Sequence, residues 1–431
     1  MRPPLPAGPY LVVGLARSGR AAARALHARG EQVTAYDALD AEPLDGIEMR
    51  TGGDGTELLD AATCVVKSPG VPREAPVIAT ALARDIPVIG ELELAWRLLP
   101  DELIAVTGTN GKTTTVELIG AIHRSAGEPV EVAGNVGRAL STLLLDAPAR
   151  GATIVCEVSS FQLEDTLAFA PDAAVLLNLT ADHLDRHHSF ERYRAAKLRI
   201  FANQHADALA VLPQQLARLH TGAARRVLFG NGAECELRLE DGAIHWQGEQ
   251  LIATGELRMR APLEDALAAA AVTLARGIAP GAVREALAAF RGVAHRLEEI
   301  AQLDGVTYVN DSKATNVAST LAALGSFDPG SVLLILGGQG KSQDFTPLRE
   351  AVAERAAHTY LIGDDAPAIA RALDGLPYSL LETLEEAVDS ASRLARSGQV
   401  VLLSPACASY DQFENFEARG DAFRALVPGQ A

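Results

Sequence analysis

Lysine is nearly absent from this chain: of its 38 basic residues only Lys67, Lys112, Lys197, Lys313 and Lys341 are lysine. High-GC coding exchanges lysine for arginine wherever either cation serves, but not where a compact ammonium or a reactive amine is required. The five survivors are therefore candidate site residues. Cysteine is also scarce. Cys64, Cys156, Cys235 and Cys407 are scattered without a Cys-x-x-Cys pair, which excludes a disulfide framework and a zinc site and leaves buried free thiols as the expectation. No apolar run is long enough to span a bilayer, which excludes membrane insertion. The proline-rich stretch from Met1 to Tyr10 lacks the basic start and small-residue cleavage site of a secretory signal, so a cytoplasmic protein is expected. Positive charge is in deficit as well. A net charge of -17 repels phosphate backbones and argues against nucleic acid as the main partner, while leaving room for local pockets that take small phosphorylated ligands.

What remains is an ordinary globular composition, 48% hydrophobic and 22% charged over 431 residues, too long for one core. Leu11–Val13 reads as a strand followed by Gly14, Gly19 and an alanine-rich helix, with a second strand ending at Asp37. Further strands are expected at Thr63–Val66, before Ser68-Pro69-Gly70, and at Ile86–Ile89. A second α/β unit starts with a strand at Leu103–Val106 and a helix from about Thr113, and continues with strands at Thr153–Cys156 and Ala173–Leu177. Short β-like pieces with turns at Gly242 and Gly248 fill Val227–Ile252, and an alanine-rich helix follows from Leu263. A third set of strands falls at Val306–Val309, Val332–Leu336, Thr359–Ile362 and Val400–Leu403. The expected organisation is three α/β modules in series, residues 1–92, 93–292 and 293–431.

The most specific motif is Gly108-Thr109-Asn110-Gly111-Lys112-Thr113-Thr114, where a strand turns into a helix. Backbone N–H groups at such a turn, backed by the helix N-terminus, form an anion cradle. Lys112 then reaches the β- and γ-phosphates and the Thr113 hydroxyl holds Mg²⁺. The strict pattern asks for glycine at position 106, where this chain has Val106. Glu157 follows the apolar strand Thr153–Cys156, a placement that suits an acid approaching Mg²⁺. After the next strand comes the polar run Asn178-Leu179-Thr180-Ala181-Asp182-His183-Leu184-Asp185, on the same expected sheet edge where ligands gather. His183 is readable there as a metal ligand or as a solvated loop histidine.

In this order the phosphate loop, Glu157-Val158-Ser159-Ser160-Phe161-Gln162-Leu163 and the Asp182–Asp185 loop resemble the ATP-binding domain of the Mur ligases. The resemblance implies a three-domain α/β architecture: a Rossmann-like first domain, a central P-loop ATPase domain and a Rossmann-like third. It also implies ATP and two Mg²⁺ sites. Lys197, by itself a helical surface lysine, is similar to the lysine that the family carbamylates with CO₂, turning a cation into a carboxylate-like ligand. Thr113, Glu157, His183 and carbamylated Lys197 would then face metal, and Lys112, Glu157, His183 and Lys197 form the catalytic set.

The first and third domains decide the substrate. Gly14-Leu15-Ala16-Arg17-Ser18-Gly19 resembles a UDP site, with Arg17, Ser18 and Gly19 near the nucleotide, Asp37 near uracil, Ser68 and Gly70 closing the pocket and Asn135 toward the sugar-diphosphate. Ala38-Leu39 departs from the polar or basic pair expected after the acid. In the third domain, His295-Arg296, Asn310 to Asn316, Gly337-Gly338-Gln339-Gly340-Lys341 and Ser404 to Phe413 look like the members that add D-glutamate. By that analogy Arg296 and Asp311 reach ATP, while Lys313, Thr315, Lys341, Ser409 and Phe416 surround glutamate, whose two carboxylates need a cation and hydroxyl donors. Two departures fall here: Ala261-Pro262 and Asp265 stand where adenine contacts are usual, and Tyr410 replaces a common leucine. The implied reaction joins glutamate to UDP-N-acetylmuramoyl-L-alanine through an acyl phosphate, in a monomeric enzyme whose third domain closes over the site. The alternatives are ligation of L-glutamate or another amino acid, and a folylpolyglutamate synthetase-like activity.

Overall fold

The computed structural model describes residues 2–146, 148–259, 262–340 and 343–428, without the side chain of Asp185. The chain divides into two compact units, Met1–Leu257 with Pro262–Phe290, and Arg258–Ala261 with Arg291–Ala431. Three sheets are built from strands β1 (Tyr10–Val13), β2 (Val33–Asp37), β3 (Glu48–Thr51), β4 (Cys64–Lys67) and β5 (Val88–Gly90); β6 (Leu103–Thr107), β7 (Val130–Gly134), β8 (Thr153–Glu157), β9 (Ala173–Leu176), β10 (Leu209–Pro213), β11 (Arg225–Gly230), β12 (Leu237–Glu240), β13 (Ala243–Trp246) and β14 (Glu249–Ala253); and β15 (Glu298–Leu303), β16 (Val306–Asn310), β17 (Val332–Gly337), β18 (Ala356–Ile362), β19 (Tyr378–Leu380) and β20 (Val400–Leu403).

The first sheet runs β3-β2-β1-β4-β5 and is parallel throughout. Its central strands are buried at every position, as parallel strands covered on both faces must be. Strand order reverses between β1 and β4, so the loops leaving these neighbours open a crevice at the carboxyl edge. In the second sheet, β14-β13-β12-β11-β10-β9-β6-β8-β7, β6 lies between β9 and β8. The loops after β6, β8 and β9 therefore share one edge. The hairpins β12–β13–β14 extend the far side, turning at Gly242 and Gly248 with positive φ. Helix Leu263–Ala275 is buried continuously from Asp265 to Leu274, which explains its alanine content: a helix enclosed on all sides needs apolar residues all round.

Helix Glu91–Leu98 ties the first two sheets together. Glu93 is fully buried and accepts N–H groups from Leu167, Ala168 and Phe169 at 2.9–3.1 Å, while Arg97 pairs with it at 2.7 Å. Glu91 accepts the Ser141 N–H at 2.6 Å, and burial pushes its carboxyl above the usual range. Lys67 and Asp165, both buried, pair at 2.7 Å. The third sheet, β15-β16-β20-β17-β18-β19, is parallel apart from β15. Its strands β16, β20 and β17 carry the third-domain motifs on adjacent carboxyl ends. Among the described residues no helix is long and apolar enough to cross a membrane, and all four cysteines are free.

Candidate active site

The helix Lys112–Ser125 begins one residue earlier than expected, directly after Gly111. Gly111 has φ +85°, and a Cβ there would lie 2.1 Å from Asp265 Oδ1, so the turn requires glycine and Asp265 lies against the loop. Thr113, in the first turn of the helix after β6, and Glu157, the last residue of β8, meet directly. The Thr113 hydroxyl donates to Glu157 Oε2 at 2.6 Å, and Asn135 Nδ2 donates to Oε1 at 3.1 Å. Glu157 is only 2% exposed. It ends β8 rather than following it, and Gly134 on β7 must be glycine because a Cβ would sit 2.2 Å from the Glu157 carbonyl.

Two lysines converge on this loop. Lys112 curls back, donating to the carbonyls of Gly108 at 2.9 Å and Thr109 at 2.7 Å. Lys197, on helix Phe190–Leu198, reaches the same Gly108 carbonyl at 2.7 Å. It is not a surface lysine: it is 2% exposed, and its ammonium lies over the Tyr193 ring at 4.8 Å. Burial, reinforced by the neighbouring Lys112 charge, lowers its pKa to about 6. The amine is thus largely neutral at pH 7.

His183 sits at the start of the single helical turn Leu184–His187 with φ +52°. It is half exposed, 3.6 Å from Asp182 and packed on Phe161 at 4.9 Å between ring centres. Among the described residues no three His, Cys, Asp or Glu side chains gather tightly enough to hold a metal alone. Mg²⁺ does not need such a cage, because it commonly takes one or two protein oxygens with phosphates and water. The paired Thr113 hydroxyl and Glu157 carboxylate supply hard oxygens of that kind.

The crevice of the first sheet is a cavity of about 280 Å³ lined by Arg17, Ser18, Asp37, Ser68, Gly70 and Asn135, together with Gln162. Gly19 lies beneath it: a Cβ there would overlap the Gly14 carbonyl at 1.8 Å. Asp37 accepts the N–H groups of Leu15 at 2.6 Å and Leu39 at 3.0 Å. Arg17 donates to the Gly137 carbonyl. Arg186, which the sequence did not single out, donates to the carbonyls of Gly70 at 3.3 Å and Val71 at 2.8 Å, so the turn bearing His183 also braces the pocket loop.

In the other unit, Asp311 is buried directly after β16. It accepts the Ser404 hydroxyl at 2.7 Å and the Leu297 N–H at 3.2 Å. Burial raises its pKa to about 7, against the pull of Ser404 and the charge of Arg296. Lys313 places its ammonium 5.6 Å over Phe416. The Ser312 hydroxyl donates to the Phe416 carbonyl at 2.8 Å, the Thr315 N–H donates to the Lys313 carbonyl, and Ser409 is buried. Gly337-Gly338-Gln339-Gly340 clips onto the Ser-Pro-Ala-Cys-Ala run through paired Gln339–Ala408 bonds of 2.9 Å. Gly338 has φ +126° and no room for a Cβ against the Ala408 carbonyl, 2.3 Å away. Tyr410 is exposed. Lys341 and Ala261 lie outside the described residues. Sequence reasoning missed Arg419, 1% exposed, which donates to the Ser312 hydroxyl and to the Ser312 and Cys407 carbonyls; its spacing of three from Phe416 on one helix was the available signal.

Three family models match: the Mur ligase MurD-like N-terminal domain over residues 9–90, the Mur ligase middle domain over 106–263 and the Mur ligase glutamate ligase domain over 295–407. The chain belongs to the Mur ligase family. Among curated Mur ligases, the UDP-N-acetylmuramoylalanine--D-glutamate ligase of Acidobacterium capsulatum is 42% identical, covering 97% of this chain and 95% of that protein. The enzyme of the same name from Myxococcus xanthus is 41% identical, covering 97% of each. The fold is shared with solved Mur ligases at low identity. The UDP-N-acetylmuramate-alanine ligase of Thermotoga maritima superposes with a TM-score of 0.61 at 20% identity over 96% of this chain and 98% of that one. The MurF ligase of Thermotoga maritima, solved in complex with ADP, gives 0.63 at 16% over 93% and 96%.

Proposed function

We propose that this Mur ligase is an ATP-dependent, amide-forming enzyme that joins D-glutamate to UDP-N-acetylmuramoyl-L-alanine in peptidoglycan precursor synthesis. The observation that carries the reading is the buried Thr113–Glu157 pair behind a lysine-bearing phosphate loop, in the same compact unit as the nucleotide-sized crevice. Full-length similarity at about two-fifths identity to D-glutamate-adding ligases supports it.

A carboxylate resists amide formation because oxide would have to leave. Phosphate activation removes that barrier: a carboxylate oxygen of the alanine attacks the γ-phosphorus, the bond to ADP breaks, and the glutamate nitrogen then displaces phosphate from the acyl carbon. The chain's part is positioning and charge neutralisation. Gly108, Thr109, Asn110, Gly111, Lys112, Thr113 and Thr114 cradle the phosphates, and Lys112 leaves its own loop carbonyls to meet them. Thr113 and Glu157 are suited to a first Mg²⁺, with His183 and Lys197 assigned to a second. Mg²⁺, when bound, offsets negative charge on the phosphates.

Carbamylation of Lys197 fits its environment, since only a neutral amine adds CO₂. The nitrogen lone pair bonds to the CO₂ carbon, a C=O pair moves onto oxygen, and one proton leaves to solvent. Arg17, Ser18, Gly19, Asp37, Ser68, Gly70 and Asn135 take the UDP moiety. Arg296 and Asp311 serve ATP, and Lys313, Thr315, Lys341, Ser409 and Phe416 serve glutamate. The enzyme acts as a cytoplasmic monomer on small molecules.

The test is phosphate release from ATP and Mg²⁺ with UDP-N-acetylmuramoyl-L-alanine and D-glutamate, L-glutamate or no amino acid, with product mass alongside. Release and a matching amide only with D-glutamate are expected. Turnover with L-glutamate alone would reassign the stereochemistry, and equal ATP hydrolysis without amino acid would defeat the scheme.

A further inference from the structure

Beyond the ends of β6 and β9, pairing between the two segments continues through Leu177 N–H to the Thr107 carbonyl at 3.0 Å and Thr109 N–H to the Asn178 carbonyl at 3.1 Å. At the next residue a side chain takes over. Asn178 Oδ1 accepts the Asn110 N–H at 2.9 Å, and Asn178 Nδ2 donates to the Asn110 carbonyl at 3.2 Å. One carboxamide thus occupies both main-chain polar groups of the residue that precedes the left-handed Gly111. The contact is close. A Cβ on Gly108 would lie 2.9 Å from Leu177 Cβ and 3.4 Å from Asn178 N, so the loop is seated directly on this segment. The Thr109 hydroxyl adds a second clasp, accepting the Thr180 N–H and lying 2.9 Å from the Tyr193 hydroxyl.

The consequence for anion binding follows from which N–H groups are engaged. Thr109 and Asn110 point theirs at Asn178, whereas the first N–H groups of the helix beginning at Lys112 lie at its positive N-terminal end. Those are the groups that a helix N-terminus offers to phosphate. A loop free to rotate at Asn110 would scatter them.

We propose that Asn178 is a positioning residue of the ATP site, acting as a peptide surrogate that locks Asn110 and so aims the phosphate-binding N–H groups. The inference rests on the reading of this loop as the ATP site. It needs a donor and an acceptor on one short planar group, which has a distinctive consequence for substitution. Asn178→Ala supplies neither. Asn178→Asp, when ionised, presents two acceptors to a carbonyl and a negative charge to the loop; when protonated, it regains one donor and one acceptor in nearly the asparagine geometry.

The experiment measures kcat and KM for ATP and for UDP-N-acetylmuramoyl-L-alanine in wild type, Asn178→Ala and Asn178→Asp from about pH 8.5 down to about pH 5, because nearby phosphate charge raises the pKa of a carboxyl. Each variant is expressed as a ratio to wild type, and thermal melting is followed in parallel. Asn178→Ala should raise the KM for ATP about tenfold, the effect of losing one or two oriented hydrogen bonds, with the KM for the UDP substrate within about twofold of wild type. Asn178→Asp should be worse than alanine at the alkaline end and better than alanine at the acid end. Simple relief of charge repulsion would bring aspartate up to the alanine level and no further. The inference is overturned if aspartate never exceeds alanine, or if alanine leaves the KM for ATP unchanged. Should the alanine variant not fold, Asn178→Ser, too short to reach both groups of Asn110, takes its place. A wild type that consumes no ATP would overturn the ATP-site reading itself, and this inference with it.

Discussion

Two buried lysines in the same compact unit have opposite surroundings. Lys67 is wholly inaccessible, yet its ammonium meets Asp165 at 2.7 Å and the Val71 carbonyl at 2.8 Å. Lys197 is almost as enclosed and, among the described residues, its ammonium meets a carbonyl, a distant hydroxyl and an aromatic ring, with Lys112 close enough to repel its charge and Asp182 and Glu157 acting on it as more distant opposite charges. Burial is the main cause of a lowered pKa at both; at Lys67 the charge and hydrogen bond of Asp165 oppose it, whereas at Lys197 the Lys112 charge adds to it and the charges of Asp182 and Glu157 oppose it, leaving the value at about 6. A paired buried cation is a fastener between segments distant in sequence. An unpaired one is a reactive amine, and only the second has chemistry to offer.

The largest effect should come from breaking the reactive member. Lys197→Met should lower amide formation by about a thousandfold or more, the scale of losing a transition-state charge stabiliser, while the protein stays folded; arginine should not restore it, and a small carboxylic acid should restore part. Stability should respond in the opposite sense. A lysine whose folded pKa is depressed from 10.5 to about 6 destabilises the fold increasingly as pH falls from about 10 to about 6, so the methionine variant should gain melting temperature over wild type most strongly near pH 6. A flat difference across that range would contradict the neutral-amine reading.

Next in size is the fastener. Lys67→Met leaves Asp165 buried without its main partner and should cost about 3–5 kcal/mol of stability, whereas a Lys67→Met, Asp165→Leu double variant should recover most of it; melting of both variants checks the pair. Asp311, in the other unit, extends the comparison to an acid. Its folded pKa of about 7 lies above the ordinary 3.8, so the fold carries no charge penalty below about pH 4 and progressively loses stability as pH rises toward 7. Asp311→Asn should therefore gain up to roughly 4 kcal/mol relative to wild type between acid and neutral pH, read as a pH-dependent difference in melting. The smallest effect belongs to Tyr193→Phe, which keeps the ring over Lys197 but loses the hydroxyl at Thr109. A loss of about 1 kcal/mol, read as a few-fold rise in the KM for ATP, is expected.

The sequence disclosed the parts whose chemistry dictates residue type and order. The phosphate loop, Glu157 and the strands that deliver them could be read because glycine, lysine and hydroxyl occupy fixed places between an apolar strand and a helix. Strands β3, β15 and β19 were not legible, since they lie at sheet edges and carry polar or exposed residues. β10 was hidden in an alanine- and leucine-rich stretch that suits a buried strand or a helix equally. The burial of Lys197 was faintly visible: Tyr193, Ala196 and Lys197 fall on one helical face, but Arg192 and Arg194 on either side of Tyr193 mask it. The partnership of Lys67 with Asp165, and of Glu93 with residues 167–169, depends on how the first two sheets pack and has no local signature. At the Ala38-Leu39 departure, Asp37 accepts the backbone N–H of Leu39, a contact that does not depend on the Leu39 side chain.

The most direct test of carboxylate activation by ATP is an isotope transfer. UDP-N-acetylmuramoyl-L-alanine labelled with ¹⁸O in both carboxylate oxygens is turned over with ATP, Mg²⁺ and D-glutamate, and the released phosphate is weighed. Passage through an acyl phosphate predicts one ¹⁸O in each phosphate formed with an amide. Unlabelled phosphate would mean that ATP is hydrolysed by water and that the amide is made by another route.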